Sequence, residues 1–144
     1  MTDARAVVGI LAVAGILILL VFRTWLRRQG ADLKRALEGS GERLVFGPEV
    51  GFYQRMICGI ISMKTYGVMA LTDHRLVFRK PIGKDIEIAL SQVAEIRENK
   101  WFAGTYRGGR KFLILRLADG TEKAFQAKNH DRWMQELRSR VSAT

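Results

Sequence analysis

The stretch Gly67–Leu90, GVMALTDHRLVFRKPIGKDIEIAL, decides the fold. Tyr66–Thr72 (YGVMALT) is a mostly apolar run, and Thr72-Asp73-His74 behind it has turn character. Arg75–Lys80 (RLVFRK) follows, and Pro81–Lys84 with Gly83 makes a second turn. Asp85–Leu90 (DIEIAL) then alternates, placing Ile86, Ile88 and Leu90 on one face. Short strand-like runs separated by tight turns predict an antiparallel sheet.

The same pattern extends both ways. Upstream, Arg43–Phe46 is apolar-rich before Gly47-Pro48, and Val50–Ile61 is β-prone with a break at Gly59. Downstream, Val93–Glu98 alternates, and Lys111–Leu117 (KFLILRL) is the strongest strand of the chain. Ala118-Asp119-Gly120 is a hairpin turn, because Asp-Gly supplies the positive-φ positions such turns need, and Thr121–Ala127 returns from it. The last segment changes period. Asn129 can cap a helix in which Trp133, Leu137 and Val141 recur every four residues with Met134 beside them. The expectation is an α+β arrangement: about seven antiparallel strands in a barrel or sandwich, capped by a C-terminal amphipathic helix.

The N-terminus reads differently. Ala6–Phe22 (AVVGILAVAGILILLVF) holds no charge or strongly polar side chain. As a helix it spans roughly 25 Å, against about 30 Å for a bilayer's hydrocarbon core. Arg23, Thr24, Trp25 and Leu26 make up the difference, since Arg23 can snorkel and Trp25 suits the interfacial belt. The run fits three descriptions: a buried core helix, a cleaved signal peptide, or an uncleaved anchor. The bulky basic sequence FRTWLRRQG after it is unlike a small-residue cleavage site and favours the anchor. Asp3 and Arg5 cancel before the run, whereas Arg23, Arg27, Arg28, Lys34 and Arg35 follow it against Asp32 alone. The positive-inside rule then predicts a single pass of the plasma (inner) membrane, N-terminus outside and the remainder cytoplasmic. A lone cysteine suits a reducing compartment.

Composition narrows the chemistry. The 144 residues carry 24 Lys and Arg against 14 Asp and Glu, a formal charge of +10. One Cys and two His exclude an intramolecular disulfide and a Cys-based zinc site and make a His-rich metal centre unexpected, so no metal and no cofactor are expected. Asp73, His74 and Ser91 supply the residue types of a hydrolytic triad without a nucleophile-elbow motif, and no catalytic residue is expected. Cys58 lies in an apolar strand and reads as core.

In order and motif the chain resembles the pleckstrin-homology superfold, and within it the GRAM-type and bacterial membrane-associated domains. The residues that carry the likeness are Leu71, Thr72, Asp73, Arg75 and Leu76, then Leu90, Ser91 and Val93, with the hairpin LRLADGTEKAFQA and the Trp133 helix. The likeness covers roughly residues 42–142. It implies a non-catalytic role at membranes through lipid or protein contacts. The phosphoinositide Lys-x-Arg pattern of the first hairpin is not carried over, because Gln54–Met69 holds Arg55 and Lys64 and is otherwise mostly apolar. The expected organisation is an anchor with a basic flank over 1–28, a linker or short helix over 29–41, and the domain over 42–144.

Two clusters are the candidates for contact. Arg97–Lys111 (RENKWFAGTYRGGRK) interleaves basic and aromatic residues, and the expected lipid- or partner-binding residues are Lys100, Trp101, Phe102, Tyr106, Arg107, Arg110 and Lys111. Such a loop can enter a headgroup region, stack on bases, or simply place Trp101 and Phe102 in the core; nucleic acid is the least expected partner. Arg107-Gly108-Gly109-Arg110 has the composition of an anion nest or of a plain turn. The second cluster is the juxtamembrane set Arg23, Arg27, Arg28, Lys34 and Arg35. Residues 31–144 hold 20 basic and 13 acidic groups, and a tethered domain of charge +7 is drawn to an anionic leaflet. The function expected is therefore an interaction module at the cytoplasmic face contacting anionic lipid, or a membrane-tethered protein-binding adaptor.

Overall fold

The computed structural model describes residues 3–57 and 60–142. Helix α1 (Ala4–Gly39) leads into β1 (Leu44–Ile57), β2 (Ile60–Thr72), β3 (Arg75–Arg79) and β4 (Ile86–Ala89). A 3-10 turn (Leu90–Gln92) precedes β5 (Val93–Asn99) and the two-residue strands β6 (Trp101–Phe102) and β7 (Thr105–Tyr106). Then come β8 (Phe112–Leu117), β9 (Glu122–Ala127) and helix α2 (His130–Val141). Seven strands form one antiparallel sheet in the order β4-β3-β2-β1-β9-β8-β5, and β6 pairs with β7 in a separate two-stranded ribbon. Cys58 lies outside the described residues.

The sheet curls around its inner face. Tyr53, Phe78 and Phe125 meet there with ring centroids 5.1 to 5.9 Å apart, and α2 closes the space with Trp133, Met134 and Leu137. Burial pushes the Tyr53 hydroxyl up to about 12. The motif residues of the β2–β3 turn have a structural task. The Thr72 hydroxyl accepts from the backbone N–H groups of His74 and Arg75 and donates to Glu42 at 2.8 Å. Arg75 pairs with Glu42 at 2.7 Å and with Glu87 at 2.8 Å. Burial pulls the Glu42 carboxyl up, but the bonds from Arg75 and Thr72 outweigh it and hold it below the usual carboxylate range.

Three local expectations shift. Arg43–Phe46 and Val50–Ile61 are not separate strands: β1 runs through Gly47-Pro48, where its register on β2 shifts between Phe46 and Glu49, and Ile60 already belongs to β2. Asn129 occupies the cap position of α2 without a side-chain capping bond. Glu49 instead receives the Asn129 amide at 2.9 Å and the Trp133 indole N–H at 3.1 Å, tying α2 to β1. Residues 29–41, expected as a linker or short helix, continue α1 as far as Gly39.

That continuity gives α1 two halves. Its most apolar window has a mean hydropathy of 2.7 and none of it is buried within the chain, and by length and composition the helix could cross a membrane or be a signal sequence. The second half docks: Leu26, Leu33 and Leu37 pack on Val68, Ala70 and Val77, the outer face of β2 and β3. Each buried Leu contributes about 1.5–3 kcal/mol. A Cβ on Gly30 would lie 3.6 Å from Pro48 and 3.9 Å from Val68, so the helix runs close over β1 and β2.

Candidate functional site

The outer face of β1, β8 and β9 is covered by the β6–β7 hairpin. Ala103 and Gly104 both have positive φ, 50° and 75°, the pair a tight two-residue turn demands. Cross-strand partners share a face, so Trp101 and Tyr106 lie together and Phe102 and Thr105 lie together. The second pair faces the sheet. Phe102 is 3% exposed and packs with Phe52, Phe112, Ile114 and Ala124. The Gln54 amide, buried on β1, donates to the Thr105 hydroxyl at 3.2 Å. The first pair faces outward: Trp101 is 57% exposed and stacks on Tyr106 at 5.0 Å.

Phe102 therefore leaves the set of expected contact residues, since period-2 alternation buries it whenever Trp101 is exposed. The basic residues of the loop also separate. The Arg107 guanidinium lies 3.7 Å over the Phe52 ring and donates to the Tyr66 hydroxyl. Lys111 pairs with Glu98 at 3.3 Å, and Glu98 also meets His130 at 2.7 Å. Those two partners hold the Glu98 carboxyl below the usual range, His130 foremost. Lys100 and Arg110 make no ion pair among the described residues. Gly108 and Gly109 both have positive φ, and the Arg110 amide donates to the Arg107 carbonyl at 3.2 Å. The run is thus a closed turn that sets the two arginines at its ends.

Arg107 and Arg110 border a groove of roughly 600 Å³. Its floor and walls are Val50, Gly51, Phe52, Tyr66, Gln126 and Ala127, and Lys128 supplies a third cation. Among the described residues no acidic side chain lines it. A neighbouring hollow shares Arg110 and Lys128 and reaches Lys111, His130 and Asp131. Phe52, Tyr66, Gln126 and Lys128 were not singled out by sequence. Lys128 falls after the last strand as a lone cation, and only the fold brings it beside Arg110.

The groove borders the docked helix. Tyr66 and Val50 flank Val68, the residue on which Gly30 rests, and Arg107 lies 5.2 Å from the Tyr66 ring. The juxtamembrane residues divide along α1. Arg23, Arg27 and Arg28 fall within about 8 Å of axial rise, whereas Arg35 lies roughly 18 Å beyond Arg23, level with the sheet. All five are exposed.

Two other constellations are weaker. Glu98, His130 and Asp131 bring donor atoms within 4.8 Å of one another. Lys111 already neutralises Glu98, so the cluster is an ion-pair network before it is a cation site. His74 lies 3.7 Å from Asp73, and among the described residues no hydrogen bond joins it to Ser91.

No protein-family model and no curated protein matches the chain. Solved structures do. The C-terminal domain of an unknown protein from Leishmania infantum is 16% identical over 77% of this chain and 95% of that one, with a TM-score of 0.56. The pleckstrin homology domain of USP37 is 12% identical over 68% of this chain and all of that one, with a TM-score of 0.51. The curled seven-stranded antiparallel sheet with its closing helix is a pleckstrin-homology-like fold. Fold does not fix function, so the site has to carry that reading.

Proposed function

We propose that the chain is a single-pass membrane protein whose domain is held at the cytoplasmic face and contacts anionic lipid headgroups, without catalysis. The observation that carries this is the groove in which Arg107, Arg110 and Lys128 converge with no acidic residue lining it among the described residues, beside the helix whose apolar half leaves the domain. Each cation near an anionic leaflet contributes about 1 kcal/mol, so three amount to about 3 kcal/mol, or roughly 150-fold in partitioning. Lys100 and the exposed Trp101–Tyr106 pair extend the surface beyond the groove.

The anchor reading is supported by the helix itself. Leu26, Leu33 and Leu37 hold its second half to the sheet, so cleavage after the apolar run would cut a continuous, docked helix. The charge difference across the run favours the domain's being cytoplasmic, at the inner membrane of a bacterial-type cell. The Leu71–Leu76 motif favours a GRAM-type member of the fold.

The test is co-sedimentation of residues 24–144, which keep the docked half of α1, with neutral and with anionic vesicles. Binding that needs anionic lipid, weakens with salt and falls about 30-fold in an Arg110→Ala, Lys128→Ala variant is the expected result. Equal binding by both vesicle types, or none, overturns the reading.

A second reading has its own observation. β3 pairs with β2 over Val68–Leu71, so the β3-facing edge of residues 62–66 has no strand partner among the described residues. An extended peptide could add there, making the domain a protein-binding adaptor. Binding that survives detergent and is insensitive to lipid charge would favour it.

A further inference from the structure

The β3–β4 turn, Lys80-Pro81-Ile82-Gly83-Lys84, carries the most exposed large apolar side chain among the described residues: Ile82 is 88% exposed. Nothing among the described residues covers it, although a side chain of that size ordinarily contributes to burial. Its base is fixed. Arg79 grips Asp85 through two guanidinium nitrogens, each 3.2 Å from the same carboxylate oxygen, so the acid beside the turn is neutralised and the ends of the turn are clamped. Lys80 and Lys84 flank the tip, and the Lys80 ammonium reaches the Met63 sulfur at 4.0 Å.

Its place follows from register and from α1. Arg79 pairs with Val68, and Gly30 rests on Val68. From Gly30 the helix climbs about 10 Å to Arg23, where the apolar run begins. From Arg79 the chain heads the same way, along β2 toward Met63, and three residues cover up to about 10 Å. Ile82 is therefore about level with Arg23–Leu26, one strand aside from the helix, where the run meets the headgroups. The turn has the composition of an interfacial contact: one apolar tip between two cations.

We infer that the Lys80–Lys84 turn is a second membrane contact, in which Ile82 enters the interface of the leaflet that α1 leaves while Lys80 and Lys84 meet its headgroups. The inference rests on the anchor reading and adds to it a fixed seating of the domain. A helix alone leaves the domain free to turn about the helix axis; a second contact at the β3–β4 turn selects the orientation.

The test uses the full chain, methyl-labelled at isoleucine, in nanodiscs of mixed neutral and anionic lipid. A nitroxide is carried near the carbonyl end of an acyl chain. Ile18 on α1 reports the anchor, Ile88 in the core is the distant reference, and Ile82 is assigned through Ile82→Val. The expected result is loss of the Ile82 signal by about twofold or more together with Ile18, since interfacial side chains sit roughly 5–10 Å into the boundary, while Ile88 is unchanged. Loss at Ile18 with Ile82 as sharp as Ile88 overturns the second contact and leaves the anchor standing. No loss at Ile18 overturns both.

Discussion

Trp101 and Phe102 are adjacent, both aromatic, and occupy the whole of β6, yet substitution should affect them oppositely. Phe102→Ala removes a ring that is 3% exposed and lies 5.9 Å from Phe112. Buried Phe→Ala changes cost about 3–5 kcal/mol, and a two-residue ribbon can settle into part of the space, so about 3 kcal/mol is expected. For a domain of this size that lowers the melting midpoint by roughly 15 °C. Trp101→Ala removes an exposed cross-strand partner of Tyr106, worth roughly 0.2–1 kcal/mol, or about 5 °C at most. The order reverses for vesicle binding, where Trp101→Ala should weaken association and Phe102→Ala should not, measured below its midpoint. Circular-dichroism melts of residues 24–144 decide the first half and co-sedimentation the second. Equal midpoints, or a larger loss for Trp101→Ala, would mean the hairpin sits on the sheet by its other face.

Three further outcomes follow from the packing. Gly67→Ala should cost roughly 1–3 kcal/mol or more in urea unfolding, because a Cβ there collides with the Arg79 carbonyl oxygen and lies 2.8 Å from the Phe78 ring. Leu33→Ala should loosen the docked half of α1 by about 2–5 kcal/mol and open Arg27, Arg28, Lys34 and Arg35 to trypsin; unchanged cleavage would show that the helix does not depend on that contact. Glu42 titrates lower in the folded chain than unfolded, so its stabilisation is full above the ordinary carboxylate range and is lost as pH falls through the lowered value. Glu42→Gln should flatten the acid side of the stability profile; an unaltered profile would assign that loss to other groups.

Alternation, β propensity and tight turns are local properties, and they are why five strands were legible from sequence: β4 and β5 by alternation, β8 by its unbroken run of β-formers, and β3 and β9 by the turns that bound them. The Thr72-Asp73-His74-Arg75 turn was legible for the same reason, since its bonds close within four residues apart from Glu42. What was not legible depends on distant partners. Gly47-Pro48 reads as a break until β2 pairs across it and turns it into a bulge. The cap expected of Asn129 gives way to Glu49, eighty residues earlier in the chain. The loop 97–111 showed its composition but not its facing, because two-residue strands are too short for alternation to register. Its charges could not be sorted either. Lys111 is taken up by Glu98 and Arg107 by Phe52 and Tyr66, while Lys128 joins from just beyond the end of β9.

On the proposed function, the groove of Arg107, Arg110 and Lys128 faces anionic lipid while α1 holds the chain in the bilayer. Amide exchange of the full chain tests it most directly, compared between neutral and anionic nanodiscs. Slower exchange over 106–111 and 126–129 is expected in anionic discs alone, with the β8–β9 turn at 118–120 unchanged. Identical exchange in the two discs, with α1 protected in both, would contradict it and take the groove out of the contact with lipid.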